Sequence, residues 1–413
     1  MNRIERFIYD LVKNNSFLKN LIRDSYQTVL SIIPQRKVKS KYRIIERPGY
    51  FFGFHDKNPW SYDNKMLLAH KFNIPNRDIN KNDSIEVGYF HGEDYKEFKS
   101  LANTTSWNWQ QGSMLQWLNE ENEIIYNDWD GNNNVAMIIN TDGELINKIN
   151  RPIGSISSNG KFATSYSFER LNIGMFGYGY PNENDINKQE LVPKSSGMEL
   201  VDLETGDSKT LFSVHDIATY HQDELMNNAY HFFTHSLFAP GGKRFLFLHR
   251  WYREGRQLCS RMISCDVDGG NMHIFPTDNM VSHITWISEN EVFAYCNTNK
   301  YGDGYHIFKD MSGQYRKVGS IHYTSDGHPQ YNFEKNLIVT DTYPNRFRIQ
   351  EISIYDIEND KKEVIARLWS PKQFKDSVRC DLHPRWDRLG EAICFDSAHL
   401  GTRALCTLKL LSK

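Results

Sequence analysis

Four histidines recur at one position of a repeated sequence pattern, and their type and spacing are typical of a metal site. Each lies three residues before an aromatic residue: His235 before Phe238, His283 before Trp286, His328 before Tyr331 and His383 before Trp386. The chain holds only 15 histidines among 413 residues, so chance does not account for four such matches. Neutral imidazole is the commonest ligand of divalent transition metals in proteins. The pattern therefore predicts a Mn²⁺, Fe²⁺ or Zn²⁺ ion held by three or four of these side chains.

The spacing leaves a second interpretation of the histidines open. Each imidazole could instead donate a structural hydrogen bond inside its own repeat. In the first three repeats, the equivalent position is occupied by Lys57, Met114 and Ile153. The histidine is therefore not a general requirement of the repeat, and the four histidines mark one side of the predicted assembly.

The histidines belong to a unit that recurs seven times after residue 50. Each copy has a large apolar residue, a turn of Asp, Asn or Gly, an apolar strand and a later polar hairpin. The copies start at Trp60, Trp117, Ile156, Phe238, Trp286, Tyr331 and Trp386, with an insertion around residues 171–197. About four strands per repeat of about 45 residues are typical of a propeller blade, whereas a pair of β-sandwiches predicts no fixed period. The sequence therefore predicts an all-β fold, a seven-bladed β-propeller over residues 48–413, with the histidines on the innermost strands.

Residues 1–47 form a separate basic segment ahead of the repeats. Apolar residues from Ile4 to Ile33 have helical spacing, and the segment contains 11 Lys and Arg against 4 Asp and Glu. A basic amphipathic helix is typical of segments that lie on an anionic membrane surface. The same helices could pack on the propeller or on a second subunit, and both interpretations stay open.

Charge and cysteine content narrow the range of partners and compartments. Residues 48–413 hold 38 Lys and Arg against 47 Asp and Glu, which argues against nucleic acid as a partner. The six cysteines include no C-x-x-C pair and lie mostly in apolar runs, which indicates buried thiols in a reducing compartment. No apolar run reaches the ~18 residues that cross a bilayer, and the first residues lack the features of a signal peptide. We expect a cytoplasmic protein, peripheral on the inner face of the cell membrane if residues 1–47 bind lipid.

Polar and aromatic side chains near the histidine end of the predicted strands are candidates for binding a substrate. They are His55, Lys57, Trp109, Gln111, Arg170, Arg346 and Arg385. Arg250 is the most suggestive cation, because an apolar strand presents it between His249 and Trp251. An arginine in such a position can hold a carboxylate through two parallel hydrogen bonds. For each of these residues, a surface or inter-blade salt bridge is the alternative interpretation.

Two strings in the last repeats resemble the seven-bladed propeller polysaccharide lyases. They are Asp326-Gly-His-Pro with Val339-Thr-Asp-Thr-Tyr-Pro344, and Asp381-Leu-His-Pro-Arg-Trp386 with Cys394-Phe-Asp-Ser-Ala-His399. The sequence resembles the oligogalacturonate lyases and, more loosely, the propeller ulvan lyases, over roughly residues 50–413. The resemblance implies an acidic oligosaccharide or polysaccharide as substrate. It also implies a manganese ion, held by all or some of His235, His283, His328 and His383, with Gln111 as a further candidate ligand.

The same resemblance implies residues for catalysis. An arginine is the base in the oligogalacturonate lyases, whereas His and Tyr transfer protons in the ulvan lyases and an arginine neutralises the uronate. Arg250 and Tyr343 are the candidates for these roles here. β-Elimination needs the uronate carboxylate neutralised, a base for the C5 proton and an acid for the leaving oxygen. These residue types can supply all three requirements.

Two functions of different class follow from the sequence. The first is a metal-dependent lyase that acts by β-elimination on uronate-containing glycans. The alternative is a membrane-associated protein of bacterial capsule or lipopolysaccharide synthesis, either glycosyl-transferring or glycan-binding. The basic amphipathic residues 1–47 favour this alternative, whereas the repeat histidines favour the lyase.

Overall fold

The computed structural model describes residues 37–182, 185–253, 255 and 257–410. Within these residues the chain forms seven antiparallel sheets, one for each predicted repeat, which confirms the seven-bladed propeller. In this part of the chain, helix is limited to Phe168–Gly174 and Val214–Thr219, with single 3₁₀ turns at Glu93–Tyr95, Glu224–Met226 and Asp376–Val378. No helix in the described ranges has the length and apolar character needed to cross a membrane. The helices predicted between Ile4 and Ile33 lie outside the described residues.

The first three blades are built in chain order from the channel outwards. Blade 1 contains Tyr50–Phe51, Leu67–Lys71, Ile85–His91 and Glu97–Thr104. Blade 2 contains Gln116–Trp117, Ile124–Trp129, Asn134–Ile139 and Leu145–Ile149. Blade 3 contains Ser155–Ile156, Phe162–Ser165, Gly197–Asp202 and Ser208–Ser213.

The next three blades follow the same order. Blade 4 contains Tyr230–Phe238, Arg244–Tyr252, Cys259–Asp266 and His273–Ile274. Blade 5 contains Val281–Trp286, Glu291–Cys296, Gly304–Lys309 and Tyr315–Val318. Blade 6 contains Gln330–Asn332, Leu337–Asp341, Ile349–Asp356 and Lys361–Trp369.

Strands from both ends of the chain close the ring. Blade 7 takes its three inner strands from Arg385–Trp386, Ala392–Ser397 and Ala404–Lys409, and its outermost strand from Ile44–Pro48. The short strand Val38–Ser40 adds a fifth, outer strand to blade 6. Pairing with the ring thus begins at Val38, ahead of the predicted boundary between residues 47 and 48.

Packing between blades explains why the second strands are mostly buried. In Arg244–Tyr252 the seven central residues are all buried. Phe245 and Phe247 pack in one core with Phe212 of blade 3, whereas Leu246 and Leu248 pack in another with Trp286 of blade 5. Successive side chains of a strand point to opposite faces, so each blade is buried on both sides by its neighbours.

The longest connections lie at the end of the ring where the innermost strands begin. Neighbouring strands are antiparallel, so the connection after each second strand and the connection between blades both lie at this end. Residues 166–196 connect the second and third strands of blade 3, and residues 370–384 connect blade 6 to blade 7. The predicted insertion around residues 171–197 is therefore placed at the histidine end of the channel.

Candidate metal centre and adjoining cavity

Five imidazole rings surround the side chain of Phe54 at the start of the innermost strands. The four repeat histidines, His235, His283, His328 and His383, are joined by His55 of blade 1, with ring centroids 4.4–6.1 Å from that of Phe54. The ring of His328 lies 4.1 Å from that of His283 and 4.3 Å from that of His383. All five histidines are buried. The repeat position thus brings together the side chains that the sequence analysis selected.

The backbone at two of these histidines is left-handed. His235 has φ of 53° and His383 has φ of 43°. Met114, at the equivalent position of blade 2, has φ of 56°. A blade without a histidine thus has the same backbone conformation where its innermost strand begins. The conformation is therefore a property of the blade and not evidence for a ligand.

The Nδ1 atoms of four rings are fixed by oxygen acceptors. His55 donates to the carbonyl of Pro329 at 2.8 Å, His383 to that of Gly53 at 2.8 Å, His328 to Asp341 at 2.8 Å and His283 to Asp326 at 3.0 Å. Carbonyl and carboxylate oxygens only accept hydrogen bonds, so Nδ1 is the protonated nitrogen in each neutral ring. The Nε2 atoms then carry free lone pairs, and the oxygen partners fix the ring orientation as partners of metal ligands do.

The Nε2 atoms of His55, His328 and His383 are buried and have no hydrogen-bond partner among the described residues. The side-chain oxygen and nitrogen of Gln111 are also buried without a partner there. A buried polar atom without a partner costs about 1–3 kcal/mol, so several in one cluster indicate a missing ligand. Imidazole nitrogens with an amide oxygen are a suitable donor set for a divalent transition metal. These residues therefore fit the metal that the sequence predicted.

The carbonyl of Gly53 holds one candidate ligand and one buried arginine. It accepts from Nδ1 of His383 and, at 2.9 Å, from the guanidinium of Arg385. A Cβ atom at Gly53 would lie 2.7 Å from the carbonyl carbon of Gln111, and φ of +124° is a conformation that favours glycine. The close approach of these two backbones requires glycine at this position.

Two aspartates that sequence reasoning did not select lie among the histidines. Asp381 offers an oxygen that lies, with nitrogens of His328 and His383, in a group whose atoms are all within 4.8 Å of one another. Asp326 pairs with His283. Each aspartate lies two residues before the histidine of its own blade and faces the histidine of the preceding blade. This Asp-x-His pattern in blades 6 and 7 is the sequence feature that could have indicated the two aspartates.

The carboxylates and the neighbouring rings set opposite protonation preferences in the cluster. Burial, followed by the nearby imidazoles and cations, holds the pKa values of His55, His235 and His383 well below the usual 6.5. Burial also acts to lower the pKa of His328, but the bonded Asp341 outweighs burial and raises it. Three of these rings are therefore neutral near pH 7, as metal ligands must be.

Three loops bring further polar side chains to the histidine cluster. The ring of Tyr178, from the insertion in blade 3, lies 5.8 Å from that of His235, and the ring of Tyr343 lies 5.3 Å from that of His328. Arg379, from the loop before blade 7, donates to the hydroxyl of Tyr178 and to Asp381 at 2.5 Å. Sequence reasoning missed Tyr178 and Arg379, because both lie in irregular loops with no repeat position.

Buried charges and phenols surround this end of the channel. Arg250 is buried, and its Nε has no partner in the part of the chain that the structure describes. Burial lowers the pKa of Arg250 to about 10. Burial acts to lower the pKa of Arg379 as well, but Asp381 outweighs it and the pKa is raised. Burial raises the pKa of Tyr178 and Tyr343 above 10, so both phenols are neutral at physiological pH.

A cavity of about 470 Å³ adjoins the histidine cluster. Its lining includes Tyr343, Arg348, Lys372, Lys375, Asp376, Arg379 and Asp381. The four cations exceed the two carboxylates, although residues 48–413 as a whole carry more acidic than basic side chains. A cationic cleft in an acidic protein favours an anionic ligand.

The other predicted substrate contacts are distributed over several environments. Lys57 forms a buried ion pair at 2.8 Å with Asp56, the residue that follows His55. Trp109 is buried against Phe51, Phe72 and Trp107, and its indole donates to the backbone of Arg77. Arg346 is exposed, with its guanidinium over the ring of Phe347.

Two predicted arginines make structural contacts. Arg170 donates to the carbonyls of His231, Glu190 and Leu191, so it fixes the insertion to blade 4. Arg385 is fully buried and supports the carbonyl of Gly53. Among the predicted contacts, His55 lies with the candidate metal ligands and the backbone of Gln111 lies against Gly53, whereas Trp109 and Arg170 lie elsewhere.

Comparison with known proteins gives a likeness of fold. No protein-family model and no curated protein matches the chain. A solved oligogalacturonate lyase in complex with manganese has a TM-score of 0.63 and 13% identity, covering 92% of this chain and 96% of that chain. An oligogalacturonate lyase from Vibrio parahaemolyticus has a TM-score of 0.60 and 12% identity, covering 92% and 99%. The described chain is thus an all-β, seven-bladed propeller with the fold of the oligogalacturonate lyases, as the sequence resemblance predicted.

Proposed function

We propose that the protein is a metal-dependent carbohydrate lyase that cleaves uronate-containing glycans by β-elimination. The proposal depends on the position of the histidines beside a cavity. Buried histidines whose Nε2 atoms have no partner among the described residues adjoin a cavity that is lined by four cations and two carboxylates. The likeness of fold to an oligogalacturonate lyase in complex with manganese supports the same activity.

The cations of the cavity would bind the acidic groups of the glycan. Lys372 and Lys375 lie on its lining and would attract uronate carboxylates. Arg250 would lie beside the reacting centre, and its buried guanidinium has an Nε without a partner in the described chain. Arg379 is already engaged by Asp381, so its role would be to position that carboxylate and the hydroxyl of Tyr178.

His328 and His383 would hold the divalent cation through Nε2, with His55, Gln111 and Asp381 as the further candidate ligands. The donor set suits Mn²⁺, Fe²⁺ or Zn²⁺. When bound, the cation would supply positive charge that neutralises the uronate carboxylate and so acidifies the C5 proton. The hydrogen bonds of Asp341 and Gly53 to Nδ1 would keep the two rings in one orientation.

Proton transfer would use side chains whose pKa values are already shifted. With a pKa of about 10, Arg250 gives up its proton at a cost about 3 kcal/mol lower than an exposed arginine, which favours it as the base. Tyr343 is neutral and carries a proton that it can donate to the leaving oxygen. Tyr178, fixed by Arg379, is the second phenol at this end and could serve the same purpose.

Metal analysis beside a lyase assay tests the proposal. The wild type should contain near-stoichiometric metal, and a His328→Ala/His383→Ala double variant should contain none. A His306→Ala variant is the matched control, because His306 is buried in blade 5 away from the cluster and should leave the metal in place. The metal-loaded wild type should form an unsaturated, ultraviolet-absorbing product from oligogalacturonate or another uronate glycan. A wild type that binds no Mn²⁺, Fe²⁺ or Zn²⁺ after dialysis against each, or one that forms no such product from any uronate glycan, would contradict the proposal.

A further inference from the structure

The histidine cluster is closed to solvent, although a metal ion and a glycan would have to reach it. None of its five imidazole side chains is more than 6% exposed. The Nε2 atoms of His55, His328 and His383, which are the candidate donors, are buried as well. The side chains that separate the cluster from the adjoining cavity therefore determine whether anything passes from the cavity to these nitrogens.

Three side chains stand between the cavity and the histidines. Tyr343 and Arg379 line the cavity, and the ring of Tyr343 also lies 5.3 Å from that of His328. Tyr178 is buried, with its ring 5.8 Å from that of His235. The guanidinium carbon of Arg379 lies 5.6 Å from the ring centre of Tyr178 and 6.0 Å from that of Tyr343. Arg379 therefore bridges the two phenols beside the histidine cluster.

The loops that carry Tyr178 and Arg379 are fixed at their backbone by buried side chains. Asn108 donates to the carbonyl of Tyr178 at 2.9 Å. Gln110 and Arg403 both donate to the carbonyl of Arg379, at 3.1 and 2.9 Å. Lifting either loop would leave these buried donors without their acceptors, which is costly. The cluster is therefore not opened by movement of the loops.

The side chain of Arg379 is the part of this cover that can move. It is 27% exposed, and it donates to the hydroxyl of Tyr178, to Asp381 at 2.5 Å and to the carbonyl of Asp376 at 3.3 Å. Arginine has a long side chain with many rotamers, so its guanidinium can turn into the cavity while both backbones stay in place.

We infer that Arg379 is a gate between the cavity and the histidine cluster. Closed on Tyr178, it separates the cluster from solvent. Turned into the cavity, it admits a metal ion and the reacting part of a glycan. What passes the gate rests on the proposed function, whereas the closure depends only on the side chains described above.

Chemical modification of the histidines tests the gate without metal or substrate. Diethyl pyrocarbonate acylates neutral imidazole, and peptide mass spectrometry of the metal-free protein gives the rate at each histidine. His55 and His383 are neutral near pH 7 and should react much more slowly than the exposed His221 in the wild type. Arg379→Ala should accelerate both reactions at least about tenfold, because it removes the gate. Tyr178→Phe keeps the ring but removes one acceptor of Arg379, and it should accelerate them about fivefold.

Lys375→Ala is the matched control, because it removes a cation from the same loop and the same cavity. It should leave the reaction rates of the histidines unchanged. The kinetics of Mn²⁺ exchange give a second measurement. Tyr178→Phe should accelerate both uptake of Mn²⁺ and its loss to a chelator by about fivefold, so that the affinity stays the same.

The inference is overturned if His55 and His383 react as fast as His221 in the wild type. It is also overturned if either Arg379→Ala or Tyr178→Phe leaves these rates unchanged, or if Lys375→Ala accelerates them as much as Arg379→Ala does. Absence of metal binding or of lyase activity would contradict the proposed function and not the gate, because the reaction with diethyl pyrocarbonate needs neither metal nor glycan.

Discussion

Replacement of Asp341 by asparagine should remove a carboxylate that holds both His328 and His383 in place. Oδ1 of Asp341 accepts from the backbone N–H and from Nδ1 of His328, both at 2.8 Å. Oδ2 accepts from the backbone N–H of His383 at 3.0 Å. Asparagine keeps one acceptor oxygen but replaces the other by an NH₂ group. In Asp341→Asn, a donor therefore faces a donor, and at least one buried N–H loses its partner.

The contacts set the expected size of the effect. One buried donor without a partner costs about 1–3 kcal/mol, and the charge-assisted bond to His328 becomes an ordinary one. We therefore expect the free energy of unfolding to fall by about 3 kcal/mol. Loss of a partner that orients a metal-ligating histidine typically costs about 10–100-fold in metal affinity. We expect a decrease of that size, with no change in the ligands themselves.

The loss of stability should depend on pH. Burial acts to lower the pKa of His328, but Asp341 outweighs burial and raises it above 6.5. A histidine whose folded pKa is raised stabilises the fold below its unfolded pKa, and this contribution disappears as the pH rises through the folded pKa. In the variant, burial is no longer opposed by this carboxylate. The difference in stability between wild type and variant should therefore be larger near about pH 5.5 than near about pH 8.5.

Urea denaturation at the two pH values in the presence of a chelator measures the effect on stability, and metal titration by calorimetry measures affinity. Asp185→Asn is the matched control, because Asp185 is a buried aspartate that pairs with Arg170 and, within the described chain, with no histidine. Its loss of stability should not change across this pH interval. Equal losses for Asp341→Asn at both pH values, or an unchanged affinity for Mn²⁺, would refute the reasoning.

Three further predictions test the surroundings of the candidate centre. Gly53→Ala should destabilise the protein by more than ~3 kcal/mol and release the metal, because its Cβ would meet the backbone of Gln111 at 2.7 Å; Gly49→Ala, with φ of +87° and nothing within 4 Å, should cost only about 1–3 kcal/mol, and equal urea midpoints for the two would contradict this. Burial lowers the pKa of His70 to about 3, so its stabilising contribution is complete above about pH 6.5 and is lost as the pH falls towards 3. His70→Leu should therefore remove about 5 kcal/mol of acid sensitivity, and an equal pH dependence of the denaturation midpoints of variant and wild type would refute this. Trp109→Ala should cost about 3–5 kcal/mol of stability, since the ring is packed in an aromatic core. A change in the KM for substrate without a change in melting temperature would instead support the sugar contact predicted from the sequence.

The histidine cluster could be predicted because it depends on repetition. A residue at one repeat position in several blades is brought to the axis by the ring itself, whatever the details of each strand. The ring closure could not be predicted in the same way. Ile44–Pro48 is a short strand at the end of a basic segment, and nothing in its composition shows that it pairs with Ala404–Lys409.

Contacts between neighbouring blades could not be predicted from the sequence either. The Asp-x-His pattern places Asp381 two residues before His383, which indicates a relation within one blade. In the structure, Asp381 also lies close to His328, the histidine of the preceding blade. Adjacent innermost strands belong to different blades and are separated by about 50 residues here, so no local pattern reports their register. Tyr178 and Arg379 were missed for a related reason, since their loops have no counterpart in the other repeats.

The candidate metal ligands and the candidate substrate contacts therefore depend on different parts of the fold. His328 and His383 are fixed by strand entries and by Asp341, which the packing of blades 6 and 7 holds in place. Tyr178 and Arg379 lie on two long connections and are fixed by each other and by Asp381. Loops tolerate changes in length and sequence far better than the strands that they connect. A change in these two loops should thus alter which glycan is bound while the metal centre stays intact, so metal content and substrate preference are separable properties of this propeller.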